Sequence, residues 1–135
     1  GDICYFKGSA KLITRSWSAG NFYKGSFAKG WHPPHPAVFI KKSLYLTQGL
    51  FDETIPISAD FELLLRFFEA ENVKVQYLKK YLVLMSDDGV SSGLMAILRG
   101  NIEVYRALKQ QQIYVNPIFF IAKRLLSKIK QKLNK

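Results

Sequence analysis

Apolar and polar positions alternate in two short stretches near the start of the chain. Residues 2–7 and 10–17 read as two strands, with Lys7-Gly8-Ser9 between them as a hairpin turn. Residues 18–30 break the alternation: Gly20, Gly25 and Gly30 are interleaved with Phe22, Tyr23 and Phe27, the pattern of a loop with one short helical stretch. His32-Pro33-Pro34-His35-Pro36 follows, and its prolines favour extended backbone. Ala37 to Ile40 is a compact apolar run that predicts a buried strand. Lys41 to Gln48 predicts a short helix stopped by Gly49. Leu50 to Glu53 is a turn. Ser58 is a favourable N-cap for a helix reaching about Glu71, with Phe61, Leu64, Leu65 and Phe68 on its buried face. Val73 to Met85 alternates weakly and predicts strand in two pieces, divided at Lys79-Lys80. After a polar loop from Ser86 to Gly93, Leu94 to Gln112 has helical period, with Leu94, Ile97, Leu98, Ile102, Tyr105 and Leu108 facing inward. Strands mixed with helices place the chain in the α/β or α+β class.

The last stretch has a different character. Pro117 is well placed at a helix start, where its missing N–H costs nothing. Ile118, Ile121, Ala122, Leu125, Leu126, Ile129 and Leu133 then recur at helical spacing. Lys123, Arg124, Lys128, Lys130 and Lys135 lie around the other side, with Lys132 near the boundary. Residues 117–135 thus form a basic amphipathic helix. Such a helix suits an anionic membrane surface, and equally a terminal helix packed on its own domain with a solvated basic face.

Charge sharpens this division. Twenty Lys and Arg against ten Asp and Glu give +10 over 135 residues. Six of the twenty lie beyond residue 116 and no acid follows Glu103, so residues 1–116 carry only fourteen basic against ten acidic groups. Two units follow: a globular part, 1–116, and a basic tail helix, 117–135. Nucleic acid is not the indicated partner, because zinc-finger spacing, an RNP-like aromatic pattern and a helix-turn-helix are all missing. With 48% hydrophobic residues, intrinsic disorder is excluded for most of the chain. No window approaches the roughly 18 apolar residues of a membrane span. The start, Gly1-Asp2-Ile3-Cys4, has neither Met nor the features of a signal peptide, which suggests a fragment or a processed chain. The single cysteine, Cys4, excludes an internal disulfide; it reads as a small core residue in a reducing compartment.

Three segments in order go beyond pattern: Gly30-Trp-His-Pro-Pro-His-Pro-Ala-Val-Phe-Ile40, Gly49-Leu-Phe-Asp-Glu53, and Ile57-Ser-Ala-Asp-Phe-Glu-Leu-Leu-Leu-Arg66. Together they resemble the C-terminal half of family 2 glycosyltransferases, of the bacterial kind that builds cell-surface polysaccharide. The resemblance runs from Gly1 to about Asn116. It implies the C-terminal portion of a GT-A-type fold: a mixed sheet with flanking helices, followed by the C-terminal amphipathic helix. It also implies an inverting transfer of a sugar from a nucleotide-sugar donor to the hydroxyl of a sugar or lipid-linked acceptor. The donor site, the Asp-x-Asp motif and the divalent metal, magnesium or manganese, belong mainly to the family's N-terminal half, which would precede Gly1. The implied location is cytoplasmic, peripheral at the inner face of the membrane.

Asp60 matches the position of the family's general base, which takes the acceptor proton as the new bond forms. Read from the residues alone, Asp60 lies in the first turn of a helix, where a carboxylate is stabilised by the helix N-terminus without any catalytic role. The resemblance makes His35, His32 and Trp31 substrate-pocket candidates. As neutral imidazoles the histidines can hydrogen-bond a sugar or a phosphate; three apart on extended backbone, they point to opposite faces, so a shared metal is not implied. Trp31 can stack on a sugar face or belong to the core. Ser86-Asp87-Asp88-Gly89-Val90-Ser91-Ser92 matches a loop that in relatives often reads Gly-Gly-x-Ser near the nucleotide phosphates, but Asp88 stands where the first glycine would be. Glu62 and Arg66, four apart on one helix face, read as a structural pair. The alternative function is a non-catalytic membrane-binding or interaction module that uses the basic helix and the Trp-His-Pro loop.

Overall fold

The computed structural model describes residues 1–8, 12–86 and 94–133. It is a mixed α/β arrangement with three strands in one sheet and four α-helices among the described residues. Strand β1 (Asp2–Lys7) is central. It pairs antiparallel with β2 (Leu12–Trp17) and parallel with β3 (Tyr81–Ser86), giving the order β2-β1-β3. The two predicted strands pair, with a bulge where the register slips between Tyr5 and Phe6; of the predicted turn Lys7-Gly8-Ser9, Ser9 lies outside the described residues. Strand β2 returns the chain to the start of β1, and residues 18–80 form the crossover from there to β3, with two short 3-10 turns, Phe27–Lys29 and His35–Ala37, and helices α1 (Lys42–Gln48) and α2 (Ala59–Glu69). Helices α3 (Leu94–Gln110) and α4 (Pro117–Leu133) follow β3.

Two apolar clusters hold these elements. Ile3, Tyr5 and Ala37 are buried on the sheet, with Trp17, Leu82, Val83 and Met85 packed against them. The larger cluster surrounds α2, whose Phe61, Leu63, Leu64, Leu65, Phe67 and Phe68 meet Phe27, Val104, Ala107, Leu108 and Phe120. Helix α2 is thus buried on more of its circumference than the four predicted positions. Full burial of each such side chain is worth about 1.5–3 kcal/mol, so α2 is the chief organiser of the fold. Buried Asp2 ties β1 to the crossover. Its carboxylate accepts hydrogen bonds from Ala19 N at 2.9 Å and from Tyr77 Oη at 2.9 Å.

Several expectations are corrected. Ala37–Ile40 is not a strand: a 3-10 turn ends at Ala37, and the extended residues after it join no ladder, leaving Phe39 81% exposed. Only the second piece of Val73–Met85 pairs, because β1 offers a partner to residues from Tyr81 onward. Cys4 is half-buried rather than core. Ser58 sits at the N-cap of α2 but makes no side-chain cap; its hydroxyl donates to Gly100 O of α3 at 3.1 Å. Helix α3 ends at Gln110 and turns inward through Val104, Ala107 and Leu108, while Leu98, Ile102 and Tyr105 are exposed; the side chains of Leu94 and Ile97 lie outside the described set. The docked face of α3 is chosen by close approach. Gly100, bare of a side chain, lets Ile57 and Ser58 come within contact distance. Helix α4 packs through buried Phe120 and half-buried Arg124, so Arg124 belongs to the inner seam and not to the outer basic face. Ile118, Ile121, Leu125 and Leu126 are exposed on its far side. Side chains from 127 onward are outside the described set. No described helix is long and apolar enough to cross a membrane.

Candidate functional site

The start of α2 carries the candidate chemistry, and its position is fixed from both sides. The backbone N–H groups of Ile57 and Ser58 donate to Glu103 Oε2 of α3 at 3.0 and 2.8 Å. At the other end of α2, Arg66 is gripped by Glu62 through two hydrogen bonds, Nε to Oε1 at 2.8 Å and Nη2 to Oε2 at 2.9 Å. The same guanidinium donates to the carbonyls of Gln48, Gly49 and Leu50. The Glu62–Arg66 pair is structural, as its spacing indicated, and its purpose is specific: it closes the turn after α1 onto α2. The next residues are held by Asp52, whose Oδ1 accepts from Thr54 N and Oγ1 at 2.9 and 2.6 Å, a local side-chain turn. The second and third motif segments of the sequence are thereby one structural unit.

The first motif segment joins them at Asp60. His35 Nδ1 lies 2.9 Å from Asp60 Oδ2, with the two side chains 56% and 39% exposed. The ring nitrogen donates and the carboxylate accepts, so the bond fixes the imidazole's orientation and tautomer. His32 packs edge-on between Trp17 at 5.0 Å and Phe61 at 5.7 Å, next to the same helix turn. Burial pushes the Asp60 carboxyl up. The His35 hydrogen bond, the His35 charge, the Phe61 backbone N–H and the His32 charge outweigh it and hold the carboxyl below its usual value. The ionised form is therefore the resting form at neutral pH.

Arg124 completes the surroundings. Its guanidinium carbon lies 5.3 Å from the Phe61 ring centroid and 5.7 Å from that of Phe120. Burial lowers its pKa and the charge of Asp60 raises it, the first effect prevailing; a guanidinium remains charged regardless. Sequence reasoning missed Arg124, because a helical wheel assigns it to the solvated basic side. The available signal was its i, i+4 spacing from Phe120.

Trp31 is placed differently from the histidines. Its ring packs on Phe22, Phe27 and Phe68 at 5.3–6.2 Å, and Nε1 donates to Ala19 O at 2.6 Å. It also lines a cavity of about 530 Å³ with residues of the stretches 37–41 and 73–78, where Asp60, His32 and His35 take no part. The structure thus brings His35, His32 and Asp60 together and assigns Trp31 to a neighbouring aromatic cluster. Among the described residues no three His, Cys, Asp or Glu side chains converge as a metal site. Residues 87–92 of the Ser86–Ser92 loop lie outside the described residues. Compared with protein families, curated proteins and solved structures, the chain matches none.

Proposed function

We propose that the chain is the acceptor-side portion of an inverting, family 2-type glycosyltransferase with a GT-A-type fold, serving cell-surface polysaccharide synthesis. The observation that carries this reading is the 2.9 Å bond from His35 Nδ1 to Asp60 Oδ2, which joins two motif segments 25 positions apart in the sequence. A half-exposed, ionised carboxylate oriented by an imidazole can align an acceptor O–H. As the acceptor oxygen bonds to the anomeric carbon, its proton passes to Asp60. The bond from that carbon to the donor's phosphate oxygen breaks, and the electron pair leaves with the nucleotide. Attack opposite the leaving group inverts the centre. His35 positions the carboxylate, and His32 adds its field.

In this reading the nucleotide sugar and its magnesium or manganese ion are held mainly by a preceding half. This chain's own part in that reading is acceptor-side proton transfer. The chain by itself is expected to be inactive in transfer. The acceptor, a sugar or a lipid-linked glycan, would be met at the cytoplasmic face of an anionic membrane, with residues 117–135 as the contact. The exposed Ile118, Phe119, Leu125 and Leu126 on a helix rich in Lys support that placement. The same exposure also favours the second reading, a membrane-binding module without catalysis.

A transfer assay on the full-length protein separates the two readings. Asp60→Asn keeps the shape of the side chain and removes the base, and transfer is expected to fall about 10²- to 10⁴-fold. Retained transfer would refute the base assignment.

A further inference from the structure

We infer that Arg124 of α4 is an anion-contacting group of the Asp60 site, reaching a phosphate group of the substrate. The inference rests on the glycosyltransferase reading for the kind of substrate, and on geometry for the residue. Helix α4 lies against β2 and the Phe27–Lys29 turn. Phe120 is 2% exposed inside the α2 cluster. One turn later, the α4 backbone lies against Gly30, where an added Cβ would sit 3.4 Å from Lys123 Cβ and 3.6 Å from Arg124 N. The bare, left-handed Gly30 lets the helix come this close, and the approach directs the Arg124 side chain between Phe61 and Phe120.

The guanidinium held there is incompletely satisfied. Its Nη1 is buried, and no described residue accepts a hydrogen bond from it. A buried cationic donor without an acceptor is costly, and the explanation in a native protein is usually a missing anion or water. Asp60 is the acid whose charge reaches Arg124, yet its Oδ2 is engaged by His35. Among the described residues no ion pair joins that carboxylate to the Arg124 guanidinium. A transfer site needs both: a base for the proton, and a fixed positive charge for the phosphate oxygens of the leaving group. Arg is the side chain suited to phosphate, through its planar, forked donors. Arg124 as a whole residue is half-buried.

The probe is inorganic pyrophosphate, titrated calorimetrically into the full-length protein. Arg124→Gln is expected to weaken binding about 10- to 100-fold, in keeping with a charge-assisted bond. Arg124→Lys keeps the charge but not the fork, and is expected to lose several-fold. Lys123→Gln, whose charge is on the exposed side, is expected to bind as the wild type does. A thermal melt of each variant confirms folding, and the Lys variant carries the comparison if the Gln variant does not fold. Flotation with phosphatidylglycerol vesicles forms the second arm, and Arg124→Gln is expected to leave it unchanged. Equal pyrophosphate affinity in wild type and both Arg124 variants overturns the assignment, as does a wild type that does not bind pyrophosphate. Loss confined to the vesicles also overturns it, moving Arg124 to the lipid surface. Pyrophosphate binding needs no turnover. A failure of the Asp60 base assignment, seen as transfer retained in Asp60→Asn, would leave this result readable.

Discussion

At the scale of single residues, Asp60 and His35 make a pH argument. The carboxyl titrates below its ordinary value because the His35 bond and nearby charges outweigh burial. Activity that needs the ionised form should therefore persist down to the ordinary Asp pKa of about 3.9 and fall only below it. His35→Ala removes the dominant stabilising contact, so the acid limb of the kcat/KM profile should move to higher pH. An acid limb that His35→Ala leaves in place would overturn this account of the Asp60 carboxyl. The same shift has a stability counterpart. A depressed carboxyl stabilises the fold above its unfolded pKa, and that contribution disappears as pH falls through the folded value. Urea midpoints of wild type and Asp60→Asn should accordingly converge at acid pH. Of this site, the sequence made Asp60 and the two histidines legible through motif and resemblance. The helical wheel alone did not single out Arg124, because periodicity describes a helix's own faces and not which face the rest of the chain selects.

At the scale of elements, that same limit explains most of the corrections. The β1–β2 hairpin was legible because alternation is local and its partner is adjacent. The run 37–40 looked like a buried strand, but ladder formation depends on a neighbour, and among the described residues none reaches it. The docking of α3 and α4 is set by small residues at contacts that the hydrophobic pattern does not weigh. Gly100 admits Ile57 and Ser58, and Gly30 admits α4. Two consequences can be measured by chemical denaturation. Gly30→Ala places a side chain at φ 83° against Lys123 and Arg124, and is expected to cost about 1–2 kcal/mol from the backbone alone. Glu103→Ala removes the acceptor of Ile57 N and Ser58 N and is expected to cost about 1.5–3 kcal/mol, since both bonds are charge-assisted. It should also lower transfer, because these bonds set the start of the helix that presents Asp60.

At the scale of the whole molecule, α4 divides its labour by face. Phe120 and Arg124 join the domain, while Ile118, Phe119, Leu125 and Leu126 are exposed, away from the core. At 100° per residue, Ile118 and Leu125 lie roughly opposite the docked seam, on the side that would meet a membrane. Stability and membrane affinity are therefore expected to respond to different substitutions on one helix. Phe120→Ala should cost about 3–5 kcal/mol of stability, as large aromatic truncations in cores do. Ile118→Gln combined with Leu125→Gln should leave the thermal midpoint unchanged and weaken flotation with phosphatidylglycerol vesicles. The wild type should bind phosphatidylglycerol more tightly than phosphatidylcholine, and added salt should narrow the difference, because the basic side chains act through a screened field. Equal flotation with both lipids would dismiss the electrostatic part of the anchor. A double variant that melts early would show that these side chains serve the fold instead. If the double variant loses vesicles but keeps transfer to a soluble acceptor, the membrane acts by delivering the acceptor, and the chemistry stays with α2.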